Sequence, residues 1–227
     1  MRFCPPITVI AFGVLLVPAP RAAGDLLSTL QNHLRELTDF QARFTQTFHS
    51  QSLGSVPEEK GIVYVKFPGR MRWEYTQPAG KLAVVDGERT YLYLPEDRLA
   101  YVGNWEDLLE EGAAVLLLTG NLDIDKQFLV ERVADGPEIP SGSVRLRLLP
   151  RQANSRFEAY YLDLNQTGTR ILGVLMEDPL GNRVEYRFSK IRENPGLSDE
   201  LFRFEPPPGI DLQGMGSARD GPADSPR

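Results

Sequence analysis

Cysteine is nearly absent from this sequence. The single one, Cys4, stands ahead of the first apolar run, so it leaves with the N-terminal segment and cannot become the lipid-modified first residue of a processed chain. An exported protein without cysteine has no disulfide, no thiolate nucleophile and no thiolate metal site, so its stability must come from its core. Histidine is equally scarce: His33 and His49 have no Asp or Ser spaced around them as a triad would need. No excess of positive charge exists either. The formal net charge of −6 becomes −8 once residues 1–24, with Arg2 and Arg21, are removed. That balance argues against nucleic acid or anionic headgroups as partners. A membrane-length apolar run is missing too, since residues 7–17 give about eleven residues against the roughly 20 a spanning helix needs. Gly-rich phosphate loops, H-E-x-x-H and G-x-S-x-G are absent. Asp123-x-Asp125 opens like a calcium loop but lacks the glycine and terminal glutamate of an EF-hand, and reads as an ordinary loop. No acid–base pair or nucleophile emerges, so neither catalysis, a metal nor a cofactor is expected.

What is present begins with a secretory signal. Residues 1–24 run from Met1-Arg2 through the apolar stretch to the small residues Ala22-Ala23-Gly24, which places the mature start near Asp25 and leaves about 203 residues, enough for one large domain. Such a signal points to export from the cytoplasm. Leu26, Leu30, Leu34 and Leu37 then recur at helical spacing, predicting a first amphipathic helix over 25–37. From 40 to 48 the period switches to two, with Phe40, Ala42, Phe44 and Phe48 on one face of a half-buried strand.

The most informative stretch is 61–102. Five β-type runs at 61–67, 71–76, 81–85, 90–94 and 99–102 are separated by Pro68-Gly69, Pro78-Ala79-Gly80, Asp86-Gly87 and Pro95-Glu96-Asp97, all turn formers. Such regular hairpin spacing predicts one large antiparallel sheet, curved or closed. A second helix is expected over 105–118, with Glu106, Asp107, Glu110 and Glu111 on a solvated face and an all-apolar last turn that something must cover. Further strands are expected at 127–133, 144–149, 157–164, 171–177 and 183–191, then a helical turn at 197–201, a closing strand at 202–204 and a disordered tail over 213–227.

These pieces occur in a telling order: the Leu-striped helix, F-x-A-x-F-x-Q from Phe40 to Gln46, the run from Val63 through Pro68-Gly69 to Arg72-Trp73-Glu74-Tyr75, Gln77-Pro78, Asp86-Gly87, Tyr91-x-Tyr93, and F-x-F-x-P-P-x-G from Phe202 to Gly209. Together they cover nearly all of 25–212, and the chain resembles the outer-membrane lipoprotein carrier family, LolA. The resemblance implies a mainly β fold with a few helices: an incomplete, half antiparallel β-barrel of about 10–11 strands covered by lid helices, as in LolA and LolB. It implies a monomeric periplasmic carrier without enzymatic activity. Such a carrier would take lipoproteins, by their acyl chains, from an inner-membrane ABC release complex to an outer-membrane acceptor. A lipid-sensing regulatory domain on the same fold, or a carrier of another lipid, is the alternative; a chain with one such domain favours the carrier.

Site expectations follow. Met71, Trp73 and Tyr75 share one face by the two-residue period and, with Phe44, are expected to line an acyl cavity, although alternating aromatics in strands are commonly plain core. Leu108, Val115, Leu116 and Leu117 are the expected lid, against the alternative of a permanently packed surface helix. Family members carry a basic pair that latches the lid; here Lys66, Phe67 and Pro68 occupy those positions. Phe67 then makes an apolar contact instead, or Arg70 or Arg72 supplies the missing donor.

Overall fold

The computed structural model describes residues 22–52, 54–55, 57–104, 124–133, 139–152 and 155–215. The expected second helix, with Leu108, Val115, Leu116 and Leu117, lies outside the described residues, as do most of the signal segment and residues 216–227.

The helix α1 (Ala23–Glu36) starts two residues ahead of Asp25. Asp25 in its first turn and His33 and Arg35 in its last turn suit the helix dipole. Its buried stripe is Leu26, Leu27, Leu30 and Leu34, one leucine wider than the spacing suggested, while Leu37 is buried just past the helix in extended backbone. Burying each leucine contributes about 2 kcal/mol, which is what fastens α1 to the sheet.

The chain then forms β1 (Asp39–Ser50), the short β2 (Gly54–Ser55), β3 (Glu59–Lys66), β4 (Arg70–Gln77), β5 (Ala79–Val85), β6 (Arg89–Leu94) and β7 (Leu99–Asn104). A single turn of helix, α2 (Ile124–Gln127), leads into β8 (Phe128–Val133), β9 (Ser143–Pro150), β10 (Ala159–Asn165), β11 (Ile171–Glu177) and β12 (Arg183–Glu193), and β13 (Asp211–Gly214) closes the described chain. All belong to one sheet in the order β13-β7-β6-β5-β4-β3-β1-β12-β11-β10-β9-β8, with β2 on the end of β1. The sheet is open: β13 and β8 are its two edges. Neighbours pair antiparallel except β13, which runs parallel to β7. The thirteen strands among the described residues exceed the expected ten or eleven because β2 has only two residues and β13 only four, too short to read from a pattern.

The C-terminal segment differs from expectation. The helical turn is a 3-10 turn at Asp199–Phe202, opened by Ser198, whose hydroxyl accepts from the Glu200 amide at 3.3 Å. The expected strand at 202–204 does not form. Pro206, Pro207 and Pro208 follow it and have no N–H for a ladder, so the chain pairs again only at Asp211–Gly214, two residues past the expected boundary at 212.

Curvature can be read from ring distances. β4 and β12 are separated by β3 and β1, about 14 Å on a flat sheet. Yet the Trp73 ring on β4 lies 5.3 Å from Tyr186 and 6.1 Å from Phe188 on β12. The sheet therefore curls toward this face, and α1 lies in the hollow with Leu26, Leu27, Leu30 and Leu34 in the same core as Val63, Trp73, Leu146 and Leu162.

Candidate functional site

Strand alternation sorts the chain onto two faces. On β4, Met71 and Trp73 are 1% and 5% exposed and Tyr75 is half-buried, all toward the hollow. Phe44 joins them from β1, with its ring 4.9 Å from Trp73 and 5.0 Å from Tyr75, both edge-on. Phe44 sits directly across from Gly61 on β3, which leaves room for the ring where any side chain would collide. Met71, Trp73 and Tyr75 thus share a face as expected from the period, and Phe44 is brought to them. Phe48, on the same strand face, is exposed instead because it lies beyond the core at the far end of β1.

The same wall includes residues the sequence did not single out. Val63 and Val65 of β3 are fully buried in it, and Tyr186 and Phe188 of β12 complete its aromatic surface. The signal for them was available as the same two-residue period in 61–65 and 184–188. A second aromatic group, Phe128, Phe157 and Tyr160, lines the other half of the sheet with centroid separations of 5.4 and 5.7 Å.

Polar groups border this wall at one end. Tyr75 donates its hydroxyl to Gln46 Oε1 at 3.0 Å, Lys81 pairs with Glu59 at 2.8 Å, and the Lys81 ammonium lies 4.3 Å from the Tyr75 ring centroid. Burial pushes the Tyr75 and Tyr186 phenols well above their ordinary value, so both are neutral donors. At the opposite end a small apolar cavity of about 30 Å³ lies among Leu34, Leu37, Phe40, Phe188 and Ile191, with Arg170 and Glu193 beside it. Hydrogen bonding from Arg170 holds Glu193 below the usual carboxylate range, and Glu193 also faces His33 of α1 at 3.4 Å. A cavity of that size holds about one water molecule.

Arg70 and Arg72 fall on the other face. They alternate with Met71 and Trp73, so the two-residue period already separated them from the hollow. Arg70 and Lys66 pair with Asp199, Arg70 at 2.9 Å, while Arg72 pairs with Glu74 at 2.6 Å and donates to the Leu201 carbonyl at 3.2 Å. Hydrogen bonding from Lys66 and then Arg70 keeps the Asp199 carboxyl below its usual range. Lys66 also donates to the Leu197 carbonyl at 2.7 Å. These cations therefore hold the C-terminal strap, residues 196–210, on the convex face, while the lid that Arg70 or Arg72 was expected to latch lies outside the described residues. Phe67 is half-buried and packs its ring 6.2 Å from Phe40. Tyr91 and Tyr93 also lie under the strap, 5.5 and 5.6 Å from Phe204. Asp39, 2% exposed, anchors the strap's start by accepting from the Gly196 and Leu197 amides at 3.1 Å each.

Among the described residues no cluster of His, Cys, Asp and Glu could hold a metal ion. What the concave face offers is apolar area with few polar groups, an arrangement suited to alkyl chains.

Comparison with known proteins agrees with this geometry. Residues 35–205 match the family described as outer membrane lipoprotein carrier protein LolA. An outer-membrane lipoprotein carrier protein of Hahella chejuensis is 30% identical over 213 residues, covering 93% of this chain and 98% of its own. The corresponding protein of Nitrosomonas europaea is 28% identical over 204 residues, covering 90% and 96%. Among solved structures, an uncharacterized conserved protein from Thermus thermophilus shares the fold with a TM-score of 0.53 at 14% identity, covering 85% of this chain and 99% of that one. With the match running from the end of α1 to the strap and with relatives aligned over almost their whole length, the chain belongs to the LolA family of outer membrane lipoprotein carrier proteins.

Proposed function

We propose that this protein is a periplasmic, non-enzymatic carrier that shields the acyl chains of lipoproteins against the concave face of its half-barrel. The observation that carries this reading is the apolar wall of Phe44, Met71, Trp73 and Tyr75, continued by Phe188 and roofed by leucines of α1, in a chain whose relatives are lipoprotein carriers. Each methylene moved from water onto such a surface contributes about 0.8 kcal/mol, so an alkyl chain needs no specific chemistry to bind there. α1 is the described element that can give way without breaking the sheet, since leucine packing and the contact of His33 with Glu193 at 3.4 Å hold it in place. Residues 108 and 115–117 act as a further cover over the bound chains. Cargo is taken from an inner-membrane ABC release complex and handed to an outer-membrane acceptor.

The test is transfer. Membranes carrying an acylated lipoprotein and the ABC release complex are incubated with ATP and the purified protein, and the soluble fraction is probed for lipoprotein. The expected result is a soluble one-to-one complex. Lipoprotein that stays on the membrane, together with recovery of a different lipid on the protein purified from periplasm, would overturn the reading.

A further inference from the structure

Trp73 is 5% exposed, and its indole Nε1 is buried without a hydrogen-bond partner. A buried indole N–H ordinarily finds an acceptor, and leaving one unmet is costly, so the exception calls for a cause. Its surroundings explain why no acceptor is at hand. The rings of Phe44, Tyr186 and Phe188 lie at 4.9, 5.3 and 6.1 Å, and the residues directly across on β3 and β5 are Val63 and Ala83. At the border of this wall the Gln46 carbonyl oxygen takes the Tyr75 hydroxyl. A phenylalanine would fill most of the same space without stranding a donor. The sequence has instead placed one N–H in the middle of an apolar wall, next to the ring of Phe188 that also borders the small cavity.

We propose that Trp73 Nε1 is the donor for an acyl carbonyl oxygen of the cargo, so that the hollow reads ester- or amide-linked chains over plain hydrocarbon. This rests on the carrier reading above. Alkyl chains alone give an apolar cavity little to distinguish, because one methylene more or less changes binding only modestly. A single buried donor adds direction: it fixes the depth at which the first carbon of the chain sits and leaves the alkyl part to the aromatic wall. Ester and amide carbonyls are both acceptors, so glycerol-linked and amine-linked chains are alike candidates.

The experiment uses the full mature chain labelled with ¹⁵N and carrying Trp105→Phe, which leaves Trp73 as the sole indole N–H. Methyl palmitate, N-methylpalmitamide and hexadecane are delivered from cyclodextrin, and the indole resonance and the affinities are followed. A downfield shift of the indole proton with the ester or the amide, and none with hexadecane, is expected; which of the two shifts it more identifies the linkage. Trp73→Phe should then lose about fivefold more affinity for the carbonyl ligands than for hexadecane. Equal shifts with all three ligands, or equal losses, would overturn the proposal while leaving the carrier reading intact. Failure of the Trp105→Phe protein and the wild-type chain to bind any of the three would overturn both.

Discussion

Replacing Gly61 by alanine is the sharpest single test of the packing that shapes the hollow. Gly61 faces Phe44 across the β1–β3 ladder, next to a register shift between Lys60 and Gly61 in the pairing with β4. A Cβ built there would overlap the main-chain carbonyl oxygen of Glu74 and lie 2.6 and 2.7 Å from two Phe44 ring carbons. The ring can turn aside; the carbonyl, held in the sheet, cannot. Overpacking of this kind costs about 1–3 kcal/mol when side chains can adjust, and the backbone overlap puts the expectation at the upper end, about 3 kcal/mol. With a urea dependence of about 2 kcal/mol per molar, the unfolding midpoint should fall by about 1.5 M, followed by tryptophan fluorescence. Phe44→Ala alone should cost about 3–5 kcal/mol through loss of a buried ring. The double variant separates the two clashes. If the ring were the whole problem, adding Gly61→Ala to Phe44→Ala would cost nothing further; the carbonyl overlap predicts that most of the cost persists. A Gly61→Ala protein whose midpoint matches wild type would refute the reasoning, because the β3–β4 backbone would then have slack that this close packing denies.

Three further outcomes are expected. Leu30→Ala, at a fully buried position of α1, should cost about 2–5 kcal/mol, and amide exchange across α1 should rise with it; unchanged exchange would mean that something other than leucine packing fastens the helix. Arg72→Ala removes the donor to the Leu201 carbonyl and should cost about 1 kcal/mol, speeding exchange at 199–204 while leaving the concave face untouched. Because Lys66 and Arg70 lower the folded pKa of Asp199, the contribution of this contact is present above the ordinary carboxylate range and is lost as pH falls through the folded value. Acid should therefore loosen the strap before the sheet unfolds, seen as local exchange at 197–202, and Asp199→Asn should remove that pH dependence.

Much of the fold was legible because strands and turns have local signatures. The runs of 61–102 are bounded by prolines and glycines whose turn preferences are intrinsic, and β11 begins and ends where its apolar run does. The 3-10 turn and β13 were less legible for a physical reason. β13 has four exposed residues and no apolar period; it exists because β7 offers a free edge. Tyr91 and Tyr93 illustrate the same limit. Their alternation fixes that they share a face, yet only Phe204, more than a hundred residues later, makes that face the covered one.

The sequence by itself determined the antiparallel hairpin order, the leucine stripe of α1 and the common face of Met71, Trp73 and Tyr75, since each depends on a period of two or 3.6 residues along a short segment. The tertiary structure alone decided the rest. It set which way the sheet curls and brought Phe188 to Trp73 across two intervening strands. It also gave Arg70 and Arg72 to the strap on the convex face. These are contacts between residues remote in sequence, and their partners are chosen by sheet curvature and strand order, which no local pattern encodes.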